Sequence, residues 1–412
     1  MRIAFVCTEK LPVPPVSGGA IQIYIEGVLP YLSKHHDITV LSLKNDNLPD
    51  EEVVDRVRYK RLSGRTKSEY LNNLRDNISN EYHLVHVFNR PLWVMPLNQQ
   101  APGSAFSLSL HNEMFLPNKI DRERALKCIA TVKFITTVSR FIADGVKGLY
   151  PIAEEKLNVV YSGVNPSLYK PIWLEKHLPE RKELRKKYGL DEYKVILFVG
   201  RLSQKKGPHV LVEAMKSVME THPKTALMVI GSKWYGVNTT DIYTQQLQSM
   251  TESLKGPVVF TGFLPPAEIP KHFSIGDIFV CTSQWREPLA RVHYEAMAAG
   301  LPIITTDRGG NAEVIRQGEN GFVVKDFNRP EAIAERIRYL LDNKHIAKKL
   351  GMSGRKIAET EYNWERVANQ LLELLTAYSG QAARGDRGRF FRLIRLNTPQ
   401  RAVPGRGAAL KP

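Results

Sequence analysis

The sequence predicts an α/β protein made of two doubly wound domains in tandem, followed by a basic tail. Three observations carry that prediction. Short, continuous apolar runs alternate with helical patterns from Met1 to Val324, as expected of parallel strands buried on both faces. The rhythm breaks across 162–179, where Gly163, Pro166, Pro171 and Pro179 punctuate the chain, and it restarts at Lys194. The chain's 412 residues are too many for one ordinary core and suit two or three domains.

Taken in order, Met1 to Thr8 reads as a buried strand. A Pro-rich loop from Leu11 to Ser17 then leads to Gly18-Gly19 and a helical stretch from Ala20 to Ser33. Strands are expected at Ile38 to Leu43, Leu84 to Phe88, Ala105 to Leu110 and Phe134 to Val138. A helix follows over Arg140 to Leu149, and Leu157 to Tyr161 is the last strand of this half. The second half repeats the plan with Lys194 to Val199, Ala226 to Ile230, Val258 to Thr261, Ile278 to Cys281, Pro302 to Thr305 and Gly321 to Val324. Ligands of such sheets bind off the carboxyl ends of the strands, so two facing halves predict an interdomain cleft. The implied boundaries are 1–165 for the first domain, 166–190 for a linker and first helix, and 191–360 for the second domain. A final helix over 361–379 would pack back across the first domain, and 380–412 is the tail.

Lys and Arg number 58 against 42 Asp and Glu, a net charge of +16. Such a balance points to polyanions until it is resolved by segment. Residues 1–165 hold 20 basic and 17 acidic side chains, 166–379 hold 30 and 24, and 380–412 hold 8 and 1, giving +3, +6 and +7. The folded halves are thus mildly basic and show no nucleic-acid-binding module. The excess sits in the tail, where Arg389-Phe390-Phe391-Arg392-Leu393-Ile394-Arg395-Leu396 has the pattern of a short basic amphipathic helix for an anionic surface. The alternative is a solvated, disordered end. Cys7, Cys128 and Cys281 lie far apart in apolar surroundings and read as reduced core residues of a cytoplasmic protein. No apolar run approaches the ~20 residues of a membrane span.

Several chemistries lack their fingerprints. There is no GxGxxG, no GxxxxGK[ST], no GxSxG and no HExxH, and no aspartate pair at DxD spacing. The expectation is chemistry without a cofactor or bound metal. The strongest positive signal runs from Trp285 to Pro302, WREPLARVHYEAMAAGLP. It follows a strand and opens a helix, with Glu287 on the loop and Glu295 on the helix. A bare pair of glutamates eight residues apart carries nothing; the ordered context does.

This segment resembles the donor-binding signature of the retaining family-4 glycosyltransferases, whose GT-B fold sets two Rossmann-like domains across a cleft. The resemblance implies that Glu287 contacts the transferred sugar and that Glu295 holds the ribose diol. Gly200 to Gly207 (GRLSQKKG) is similar to that family's GRL…KG element and implies that Arg201 and Lys206 neutralise the donor diphosphate. Two cations can serve a leaving diphosphate without a metal, although standing alone each reads more readily as a solvated surface charge. Gly18-Gly19 matches the family's glycine loop before a helix N-terminus, which can face an anion. Ser162-Gly163-Val164-Asn165 with Tyr169-Lys170-Pro171 resembles its hinge, with Asn165 in place of an aspartate. Thr306 to Glu313 (TDRGGNAE) matches a loop near the donor. His111 closes a strand where the family often has a histidine near the sugar; a strand-end histidine bonded to backbone is the plainer alternative.

One departure stands out. The family usually has Phe-Gly after Glu-Pro, with backbone N–H groups near the sugar, and here Leu289-Ala290 occupies those places. Alanine lacks glycine's freedom at positive φ, which puts sugar specificity and even activity in question. Glu9 to Pro14, Gly18 to Tyr24 and REPLARVHYEAMAAGLP further resemble spore-coat-associated glycosyltransferases of endospore-forming bacteria. The resemblance implies metal-independent, retaining transfer of a sugar from a nucleotide sugar, UDP-linked in preference to GDP-linked, to the hydroxyl of a glycan, lipid or protein. It places the protein in the cytoplasm, peripheral to the membrane or spore coat. Rival readings are a catalytically silent spore-coat protein that keeps the fold, and an epimerase of the same two-domain fold, which lacks the paired-glutamate segment.

Overall fold

The computed structural model describes residues 1–233 and 241–384, with backbone alone over 379–384. The tail motif at 389–396 lies outside the described residues. Fourteen strands form two sheets. The first contains β1 (Arg2–Val6), β2 (Asp37–Leu43), β3 (Glu51–Val54), β4 (Val57–Leu62), β5 (Leu84–Phe88), β6 (Ala105–Leu110), β7 (Val132–Thr137) and β8 (Leu157–Val159). Its order is β3-β4-β2-β1-β5-β6-β7-β8, parallel except for the β3–β4 pair. The second contains β9 (Lys194–Val199), β10 (Thr225–Ile230), β11 (Val258–Phe260), β12 (Ile278–Cys281), β13 (Ile303–Thr306) and β14 (Gly321–Val324), in the order β11-β10-β9-β12-β13-β14 and parallel throughout.

The central strands are apolar because both faces are covered. Every residue of β5, β6, β10 and β12 is buried, and parallel strands roofed by helices on both sides require this. All three cysteines are buried and free.

The strand order also positions ligands. In each sheet the chain builds outward in one direction, then returns to the centre and builds outward in the other. The direction reverses between β1 and β5 in the first sheet, and between β9 and β12 in the second. The crevice at the carboxyl ends of such a strand pair is where open α/β sheets bind ligands.

Two features depart from expectation. The β3–β4 hairpin is an addition; its turn residues Asp55 and Arg56 take φ of 48° and 69°, values usually met by Asn-Gly. The last helix, Trp364–Arg384, runs past the expected boundary at 379; Gln381, Ala382, Ala383 and Arg384 are all good helix formers. Its first turn meets the first domain, with the Trp364 and Tyr24 rings 5.9 Å apart, edge to face, and just before the helix Tyr362 O accepts from Val164 N–H at 2.8 Å. Among the described residues no helix is long and apolar enough to cross a membrane.

Candidate active site

The second sheet's crevice gathers the charged residues. Beyond β9 come Gly200 and half-buried Arg201, then a tight loop ending at Lys206 and Gly207. Gly207 has φ 68°, and a Cβ there would stand 2.1 Å from Thr282 O. Only glycine lets the loop come this close to the end of β12, and Thr282 Oγ1 secures it by donating to Gly207 O at 2.8 Å.

That approach puts Lys206 beside Glu287. Lys206 Nζ donates to Glu287 Oε2 at 2.6 Å, as do Trp285 Nε1 at 2.6 Å and Ser283 Oγ at 3.1 Å. Among the described residues these three bonds fall on one oxygen, which leaves Oε1 acceptor capacity. Burial pushes the Glu287 carboxyl up, but Lys206 and the two neutral donors overcome it and hold the group below the usual carboxylate range. Glu287 is therefore an anion at neutral pH. Gly310 N–H donates to Glu287 O at 2.8 Å. Gly309, at φ 62°, lies where a Cβ would come within 2.0 Å of the same oxygen, so the 306–313 loop closes over the Glu287 backbone.

Glu295 lies on the helix Val292–Ala298 and is buried. Burial raises its carboxyl above the ordinary range, and Arg291 opposes the rise. Arg291 Nη2 stands 3.6 Å from Glu295 Oε1.

Leu289 and Ala290 are both buried. Among the described residues the non-glycine positions at positive φ are Asp55, Arg56 and Asn89, so Ala290 adopts ordinary backbone geometry and alanine brings no strain there. Its N–H donates to Asn311 Oδ1 at 3.0 Å.

The first domain holds the rest. His111 follows β6; its backbone N–H donates to Asn89 Oδ1 at 3.0 Å, and its Nε2 pairs with Ser109 Oγ at 3.1 Å. Its ring sits edge-on to Tyr24 at 5.0 Å. Burial, with His86 and Arg291 nearby, pushes its pKa down to about 3, so the imidazole is neutral. Gly18 and Gly19, at φ 92° and 105°, open the helix Ala20–Leu32, which has no side-chain cap. Among the described residues no hydrogen bond or ion pair joins His111, Gly18 or Gly19 to the Lys206–Glu287 pair.

Sequence reasoning missed several residues around this site. Ser283 and Trp285 lock Glu287. Glu313 accepts from Arg140 N–H and Phe141 N–H, each at 2.8 Å, and from Tyr161 Oη at 2.8 Å. It thereby caps a first-domain helix from the second domain, where the helix dipole favours an anion. Arg286 crosses to Glu113 at 3.2 Å and lies over Phe141 at 5.0 Å. Trp285, Arg286 and Glu313 lie inside segments the sequence singles out, but their contacts with the other domain or with Glu287 have no local signal. Among the described residues no cluster of three His, Cys, Asp or Glu side chains could hold a metal ion.

Two family models match this arrangement: Glycosyltransferase Family 4 over residues 18–168 and Glycosyl transferases group 1 over 180–357. Spore coat protein SA of Bacillus subtilis (strain 168) is 46% identical over 374 residues, covering 91% of this chain and 99% of that protein. The chain belongs to family 4 of the glycosyltransferases. A mannosyltransferase of Mycolicibacterium smegmatis, GDP-mannose-dependent and acting on phosphatidylinositol monomannoside, is 31% identical over 204 residues, covering 48% of this chain and 51% of that one. The solved structure of Anabaena HepE in complex with UDP-glucose superposes with a TM-score of 0.73 at 18% identity, over 92% of this chain and all of that one (100%). That likeness identifies the GT-B fold. As a GT-B glycosyltransferase, the chain presents its Lys206–Glu287 cluster from the C-terminal domain.

Proposed function

We propose that the protein transfers a sugar from a nucleotide diphosphate donor, UDP-linked in preference to GDP-linked, to an acceptor hydroxyl with retention and without a metal or further cofactor. The observation that carries the reading is the anionic, one-sidedly bonded Glu287 beside Lys206 at the second sheet's ligand crevice. A carboxylate whose described hydrogen bonds all fall on one oxygen can accept from sugar hydroxyls, and Lys206 with Arg201 can take up the charge that gathers on a departing diphosphate. Glu295 binds the ribose diol through two hydroxyl-to-carboxylate bonds. His111, neutral, offers a hydrogen bond to the sugar rather than a proton.

In this reading the acceptor oxygen attacks on the face from which the diphosphate departs. The anomeric C–O bond to phosphate breaks, the new C–O bond forms, and the acceptor proton passes to a diphosphate oxygen. Orientation and leaving-group stabilisation supply the catalysis. The kinship to a protein named for the spore coat supports a spore-coat or cell-envelope glycan as acceptor. It also favours a second reading, a structural protein that has lost turnover. The unstrained Ala290 weighs against that alternative, since the departure from Phe-Gly leaves the loop backbone undistorted.

Replacing Glu295 by Ala is expected to weaken nucleotide-sugar binding by about ten- to a hundredfold, as lost charged hydrogen bonds predict. Calorimetry with UDP- and GDP-sugars checks this. Unchanged affinity would sink the donor assignment, while binding without transfer across a panel of acceptors would favour the silent reading.

A further inference from the structure

Arg291 occupies the N-cap position of the helix that carries Glu295, without a side-chain cap bond, and its guanidinium is directed three ways. Nη1 donates to Ser162 Oγ at 2.8 Å and to Gly163 O at 3.0 Å. Nη2 stands 3.6 Å from Glu295 Oε1. The plane lies over the Trp364 ring at 5.2 Å. Ser162 and Gly163 belong to the segment by which the chain leaves the first sheet for the second, and Arg366 Nη2 fixes it further by donating to Ser162 O at 2.9 Å.

The distance to Glu295 matters. At 3.6 Å the two groups form an ion pair without a hydrogen bond, and their side chains are only 12% and 11% exposed, so the attraction is weakly screened. An Arg–carboxylate pair left to itself tends to close into a two-pronged arrangement that occupies both oxygens. Such closure would take the acceptor sites a diol needs. Here Nη1 is held on the hinge segment and the guanidinium plane on Trp364, and both restrain the group from sliding onto Glu295.

We propose that Arg291 is a positioning residue: the 162–163 segment holds it at ion-pair distance from Glu295, so that it offsets the cost of burying the carboxylate yet leaves its oxygens open to the ribose diol of the donor. Donor occupancy is thereby coupled to the hinge. This rests on the donor reading of Glu295 given above.

The test compares UDP with 2′-deoxy-UDP, which lacks one hydroxyl of the diol, by calorimetry on the full chain. Wild type is expected to prefer UDP by about tenfold, the worth of one hydroxyl bonded to a charged group. Glu295→Gln should reduce that preference to about twofold or less, and Arg291→Met should do the same. Arg291→Lys, which keeps the charge, should retain most of it. Ser162→Ala should lower it by about two- to threefold by loosening the anchor. If Arg291→Met weakens both ligands equally and keeps the wild-type preference, Arg291 is merely structural and the proposal is overturned. Should Arg291→Met fail to fold, Arg291→Lys and Ser162→Ala decide: a wild-type preference in Ser162→Ala, or a lost one in Arg291→Lys, overturns it equally. A wild type that binds neither ligand, or does not distinguish them, overturns the donor reading and this assignment with it.

Discussion

Each sheet places a carboxylate against a cation at the crevice where its strand order reverses, and the two pairs are built differently. In the first domain, beyond β1 and β5, Arg90 grips Glu9 with two prongs: Nε to Oε2 at 2.8 Å and Nη2 to Oε1 at 2.7 Å. Both carboxylate oxygens are taken, and Arg90 donates a third bond to Asn89 O at 2.8 Å. In the second domain Lys206, Trp285 and Ser283 crowd onto one oxygen of Glu287 and leave the other. The same topology thus yields a closed pair and an open one. A closed bidentate pair is a fastening; an open one has capacity left for a ligand.

The comparison breaks most sharply at Glu287. Glu287→Gln keeps the shape and removes the charge, and transfer is expected to fall by about a hundredfold or more, the usual scale for losing one transition-state contact. Stability should change little, because Lys206 is 19% exposed and can turn toward water. Rates with a nucleotide sugar, set beside urea unfolding of the same variant, would show it. A variant that unfolds readily but turns over normally would reverse the assignment of the two pairs.

Glu9→Gln is expected to do the opposite, costing about 2–4 kcal/mol of stability while the folded fraction keeps its activity. Breaking one side of this largely enclosed pair, whose side chains are each 10% exposed, leaves the Arg90 charge short of its partner. The pH dependence follows from the direction of its shift. Burial pushes the Glu9 carboxyl up, but the Arg90 bonds and charge prevail and hold it below the usual range. A carboxyl lowered on folding contributes stability that is complete above its unfolded pKa of about 4.3 and lost as pH falls through the folded value. The gap between wild type and Glu9→Gln should therefore be full at neutral pH and close in acid. A gap that persists in acid would mean that Glu9 acts through packing rather than charge.

The contrast between the pairs also shows what the sequence could convey. Apolar runs such as LVHVF and KVILFV announced the central strands because burial on both faces permits little else. Lys206, Glu287 and Glu295 could be named as candidates from motifs that are local in sequence. The β3–β4 hairpin was not legible: β3 buries no residue and β4 buries only alternate ones, and Asp55-Arg56 is an unusual pair for a turn with both φ positive. The cross-domain contacts were further out of reach. Arg291 meets Ser162 across 129 residues and Glu313 meets Phe141 across 172, and no spacing rule spans such separations. The tie between Glu9 and Arg90 is of the same kind, 81 residues apart. Each half of the pair can be read as an ordinary loop charge until the sheet brings them together.

The smallest expected effect comes from the bridge beside Glu287. Arg286 spans the domains to Glu113 at 3.2 Å, but its side chain is 61% exposed while that of Glu113 is 17% exposed. Exposed ion pairs are worth at most about 1 kcal/mol, and salt weakens them further. Its stacking on Phe141 adds a comparable amount that depends less on salt. Arg286→Ala should therefore raise the donor KM by about threefold or less at low ionic strength, and Glu113→Gln by less still. In about 0.5 M salt, Glu113→Gln should match wild type while Arg286→Ala retains a residue of its effect from the lost ring contact. Steady-state kinetics at two salt concentrations separates the charge from the stacking. A tenfold effect in either variant would place this bridge among the working parts of the site, and the open character of the Lys206–Glu287 pair would then owe something to the opposite domain.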